Sequence, residues 1–200
     1  MKIAGIVFYG ALACGLLVSV ACRGAGEEKA VAVTVVGRLD DGLWNRVTNY
    51  VADNCSCPVR VKTTRDRLQS TPMKQAEQMR KELSTNDIFL LAIVNIPEDV
   101  KFRSGQFKTQ NVALLNAWAL RPDKLASEGD KERYARRVLK ESMHELGLLF
   151  GMDICPNPTC ALSDWQTDAE LDAKGCNYCP PCLIKVQQLL KDAGIRSTEP

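Results

Sequence analysis

VAVTVVG, residues 31–37, is a β-branched run of strand length and predicts a buried first strand. Leu43, Val47, Tyr50 and Val51 then recur at helical spacing, so Asp41 to Asn54 reads as a helix. Asp40 or Asp41 can cap its start by accepting from free backbone N–H groups. CPVRVKTT (57–64) predicts a second strand. Pro72 to Leu83 carries Met73, Ala76, Met79 and Leu83 on one side and predicts a second helix. DIFLLAIVNI (87–96) is continuously apolar and ends before Pro97, the pattern of a strand buried on both faces. Ser104 and Gly105 read as a turn between two extended segments, of which Asn111 to Leu120 is the stronger strand. Lys131 to Phe150 is the longest helical pattern, and Pro180 to Gly194 is a terminal helix with prolines at its start and glycine at its end. The order β-α-β-α-β-β-α-loop-α predicts an α/β domain with a mixed sheet, over residues 31–196.

The first 22 residues, MKIAGIVFYGALACGLLVSVAC, are of another kind. One lysine precedes an apolar run of signal-peptide length that ends in Ser19-Val20-Ala21-Cys22. A small residue before cysteine at that place resembles a bacterial lipoprotein cleavage box, with Ser19 departing from the usual aliphatic residue. An ordinary cleaved signal or an uncleaved anchor fits the same run. The expectation is export, with lipid attachment through Cys22 and residues 23–30 as a tether. Composition narrows little else. Hydrophobic residues make up 46 % and charged residues 25 %, and the net charge is +2 with no dense basic tract, so nucleic acid is not an expected partner.

The chemistry lies between residues 144 and 182. HELGLLFGMDIC, His144 to Cys155, starts like the zinc-protease motif H-E-x-x-H, in which two histidines one helical turn apart grip a metal and the glutamate activates its water. Here Leu148 stands at the second histidine, Gly151 at the glycine of the longer metzincin motif, and Ile154 at its last histidine. His144 is the only histidine of the chain, and one imidazole cannot hold a catalytic zinc. Cys155 and Cys160 follow at once, and Cys179 and Cys182 stand in C-x-x-C spacing about twenty residues on. Two such pairs suit a closed tetrahedral Cys₄ zinc site, with disulfides in an exported protein as the alternative.

KESMHELGLLFGMDICPNPTCAL and AELDAKGCNYCPPCL together resemble the archaemetzincin family of zinc metallopeptidases, and GQFKTQNVALLNAWALRP resembles its edge strand and the connection to its motif helix. The resemblance covers Asp87 to Leu183. It implies a zincin/metzincin-like mixed sheet with a motif helix and a C-terminal cysteine-rich zinc segment (155–182). It places His144 at the first catalytic zinc ligand, Glu145 at the general base, Cys155, Cys160, Cys179 and Cys182 at the structural zinc, and Leu162 near the methionine beneath the site. Cys176 is extra. With two ligand positions apolar, the implied protein is a degenerate metallopeptidase with a binding or scaffolding role towards a peptide or protein at the membrane surface. Leu148 and Ile154 are expected to fill the vacated space, and Glu145 to be exposed or paired with a cation such as Lys140.

Two other readings stay open: an active zinc peptidase that completes its site with ligands from elsewhere, and a thiol redox protein using Cys176, Cys179 and Cys182. Cys55 and Cys57 are expected to be buried or singly bridged. Trp44, Trp118 and Trp165 are expected in the core or groove walls. Asp164, Asp168, Glu170 and Asp172 are expected in a solvated loop, since they meet no calcium-loop spacing.

Overall fold

The computed structural model describes residues 28–55, 57–63, 71–95 and 102–196. The leader, Cys22 and most of the tether lie outside the described residues. Five strands form one sheet: β1 (Ala30–Gly37), β2 (Val59–Thr63), β3 (Asp87–Asn95), β4 (Ser104–Phe107) and β5 (Val112–Asn116), in the order β2-β1-β3-β5-β4. All pairs are parallel except β4 with β5, so β4 is an antiparallel edge. Strand β1 already includes Ala30, which the sequence places in the tether.

The sheet is covered on both faces, which explains its nearly unbroken apolar strands. Val31, Val33, Leu91, Ile93, Ala113 and Leu115 face α1 (Asp41–Asn54) and α3 (Glu128–Phe150). Ala32, Val36, Leu90, Ala92, Val94, Val112 and Leu114 face α2 (Pro72–Arg80) through Ala76 and Met79. Helix α1 spans the predicted residues, with Asp40 accepting from the Leu43 N–H at 3.0 Å.

Two expectations change. Ser104 and Gly105 are not a turn but the first half of β4, whose Gly105 pairs with Leu114. Asn111 to Leu120 is not one strand. It pairs only from Val112 to Asn116, and Asn116 then accepts from the Trp118 N–H and starts a 3-10 turn over Ala117–Leu120. A side chain that bonds its own downstream backbone competes with the strand ladder in this way.

Candidate functional site

Helix α3 begins before the predicted Lys131. Ser127 and Asp130 satisfy each other's backbone N–H groups in a capping box. It ends at Gly151, whose φ of 105° is the left-handed conformation that glycine adopts without a Cβ clash. The turn closes with the Met152 N–H donating to Gly147 O at 3.0 Å. A Cβ on Gly147 would lie 2.6 Å from Leu162, so this helical glycine lets the cysteine-rich segment pack directly on the motif helix.

That segment is held by Tyr178, whose buried hydroxyl donates to Met143 O at 2.7 Å. Short helices follow: α4 (Asp168–Ala173) and then α5 (Pro180–Asp192), which has Cys179 at its N-cap. This folding brings Cys155, Cys160, Cys179 and Cys182 together, with their four sulfurs within 4.8 Å of one another. They are the only such group of metal-ligand side chains among the described residues. Cys155 Sγ and Cys179 Sγ are 3.8 Å apart. Zinc–sulfur bonds of about 2.3 Å give a tetrahedral edge of about 3.8 Å, whereas a disulfide needs about 2.05 Å. The Leu162 and Cys179 N–H groups point at Cys160 Sγ, at 3.5 and 3.3 Å, and such donors stabilise a thiolate. The Cys182 backbone N–H draws the Cys179 thiol down to about 7, while burial pushes Cys160 up. The donor set therefore fits zinc, which would replace four thiol protons with one shared cation and tie two turns together.

Cys176 stands apart, half-buried, beside Tyr50. Cys55 and Cys57 are buried in the main core.

The second metal position is built differently. His144 is 7 % exposed, and burial, then the nearby Lys174 ammonium, push its pKa down. Its Nδ1 lies 3.0 Å from Ala161 O and 3.1 Å from Lys174 Nζ. One ring nitrogen can donate to the carbonyl or accept from the lysine, not both. Lys174 also pairs with Glu141 at 2.9 Å, and both side chains are almost fully buried. If Nδ1 accepts from Lys174, the ring proton sits on Nε2 and blocks metal binding there. Leu148 is half-buried, and Ile154 is 50 % exposed. Ile154 therefore does not fill the vacated space as expected. It lies on the surface just past the helix end, where Gly151 redirects the chain. His144 with two hydrocarbon side chains is not a donor set for zinc.

Glu145 also corrects its expectation. It is 2 % exposed, and Lys140 instead donates to Leu171 O and Asp172 O at 2.9 and 2.7 Å. Glu145 faces β4 and accepts from Gln106 Nε2. Burial pushes its carboxyl up to about 7, against the lowering effect of bonds from Ser104 and Gln106. The acidic loop is likewise organised. Buried Arg137 holds Asp172 at 2.6 Å and Asp168 at 2.8 Å, and the Thr167–Glu170 capping box starts α4. Trp165 is buried under the Arg103 guanidinium.

Three sequence-predicted features thus converge: the motif helix, the edge strand and the four-thiol turn. They define the class as an α/β zincin-like domain with a four-cysteine segment able to hold a metal ion. Residues 98–188 match the family model described as peptidase family M54. Archaemetzincin of Pyrococcus abyssi is 37 % identical over 79 residues, which is 40 % of this chain and 42 % of that protein. Archaemetzincin of Methanopyrus kandleri is 42 % identical over 65 residues, 32 % of this chain and 37 % of that protein. These matches span less than half the length of the curated relatives. The crystal structure of the Methanopyrus kandleri archaemetzincin superposes with a TM-score of 0.62 at 22 % identity, covering 81 % of this chain and 96 % of that one. A zinc-dependent peptidase from Methanocorpusculum labreanum gives 0.63 at 19 %, covering 78 % and 100 %. Together the findings support the archaemetzincin family, with the family match lying over residues 98–188.

Proposed function

We propose that the protein is a catalytically degenerate archaemetzincin that keeps a structural zinc on Cys155, Cys160, Cys179 and Cys182 and binds extended peptides at a membrane surface. The observation that carries this reading is the contrast between the two metal positions: four convergent thiols at one, and a lone imidazole beside Leu148 and Ile154 at the other. Among the described residues strand β4 is paired on one side only, so its free backbone groups can add a peptide as a further strand. Ile154, with half its surface exposed, offers an apolar wall near the motif helix. Export and lipidation at Cys22 would hold this surface at a membrane.

One observation favours an enzyme instead. Glu145, held at about 7, has the proton affinity of a general base at neutral pH, and a partner chain would then have to supply the missing ligands. A redox role is disfavoured, because Cys179 is drawn into the four-thiol cluster and away from a simple C-x-x-C pair. The test uses the full chain with fluorescent casein and a tryptic digest of casein, both in excess zinc. The expected result is no cleavage, with peptide binding that Ile154→Lys weakens several-fold. Cleavage abolished by Glu145→Gln would overturn the degenerate reading, and absence of peptide binding would overturn the binding role.

A further inference from the structure

A cavity of about 680 Å³ lies away from both metal positions, none of whose residues line it. It opens at the carboxyl ends of β1 and β3, whose last residues Gly37 and Asn95 are register partners. From β1 the chain leaves through α1 to β2 on one side, and α2 then returns it to β3 on the other. This is the topological switch point of a doubly wound sheet, where crevices form because adjacent connections part to opposite faces. Tyr134, at the α3 wall of the cavity, is ten residues before His144 on the same helix, about 15 Å along its axis.

The lining has paired and unpaired charges. Arg46 is matched by Glu132 at 2.7 Å, and Lys131 by Glu128 at 2.6 Å. Asp40 is committed to the α1 cap. Arg38 and Arg121 have no acidic partner among the described residues. Arg121 is held flat, with its guanidinium 3.9 Å from the Trp118 ring centroid and 5.7 Å from that of Tyr134. Stacking of this kind fixes the plane of the fork and leaves its edge free for a planar oxyanion. Tyr134 is 6 % exposed, and its hydroxyl is buried beside the Arg121 guanidinium, which acts on it. Arg121 Nε and Asn95 Oδ1 are buried without a hydrogen-bond partner. A stacked guanidinium, a buried phenol and a buried amide oxygen thus border a cavity large enough for a small molecule.

We infer that this cavity binds a small organic anion: an oxyanion head on Arg121 and Arg38, with the Tyr134 hydroxyl as a further donor, and a hydroxyl or amine of the same molecule donating to Asn95 Oδ1. Its body would lie against Leu39, Leu43 and Leu125. The Asp40 carboxylate already occupies the start of α1. It repels an anion from that helix end, so the arginines are the anchor and not the helix dipole.

The experiment is calorimetric titration of the full chain, at low ionic strength, with ADP, malate and inorganic phosphate. ADP and malate separate a phosphate head from a carboxylate head. The expected result is one site for ADP or malate with a dissociation constant below about 1 mM, and at least about tenfold weaker binding in Arg121→Gln, from loss of a charge-assisted fork. Arg38→Gln, on an exposed residue whose side chain makes no ion pair among the described residues, should weaken it with the fold retained, and Tyr134→Phe should do so several-fold. Zinc content and circular dichroism should be unchanged. No binding of either organic anion, equal binding in both arginine variants, or inorganic phosphate binding as tightly as the organic anions would overturn the inference.

Discussion

Glu145 gives the motif helix a measurable pH dependence of stability. Its carboxyl is buried against β4 and has a folded value of about 7 against an ordinary 4.5. A raised carboxyl binds its proton more tightly when folded. Below about pH 4.5 both states are protonated and the group costs nothing. As pH rises the unfolded chain loses the proton first, and the cost is complete above about pH 7. At 1.36 kcal/mol per pH unit the penalty is about 1.5 kcal/mol at pH 5.5 and about 3 kcal/mol at pH 8. Glu145→Gln keeps an acceptor for Gln106 and removes the titration. Urea unfolding of both proteins, followed by tryptophan fluorescence at pH 5.5 and 8, should show the advantage of the variant growing by about 2 kcal/mol. Asp87, Glu132 and Asp172 are held below their ordinary values, so what they contribute is lost only as pH falls further, and it cancels in the comparison. An unchanged difference between the two proteins from pH 5.5 to 8 would refute the buried, raised carboxyl.

Other outcomes follow from the same geometry. Lys174→Met should leave Glu141 buried without its partner and cost about 3–5 kcal/mol, read as a fall in urea midpoint. The double variant Glu141→Leu/Lys174→Met should recover most of that loss, and a double variant no better than the single one would count against the pair as drawn. Leu148→His with Ile154→His should add a second zinc per chain by metal analysis, because these are the places of the motif's other two histidines. Failure to gain it would mean that Ile154 does not stand in the place of the third ligand.

The long elements were legible because each announces itself locally. Helix α1 has an apolar stripe and an aspartate cap, and β3 is a bounded apolar run. Strand β4 was legible only through the family resemblance, because four half-buried residues containing glycine carry no alternation of their own. Its identity comes from pairing with β5. The 3-10 turn after Asn116 depends on one side-chain bond. Within the site, cysteine spacing foretold which thiols would meet. The surroundings of His144 and Glu145 were not legible, because Lys174 and Gln106 come from segments thirty or more residues away. The expectation that Ile154 fills a void failed for a related reason. The motif gives its place in the chain, whereas its exposure depends on how the chain leaves Gly151.

The central claim is one metal and not two. Zinc per chain, measured on the purified full chain under reducing conditions, is predicted to be one. It should fall to none in Cys155→Ser/Cys182→Ser and stay at one in His144→Ala. Two zincs per chain, with one lost on His144→Ala, would contradict the account.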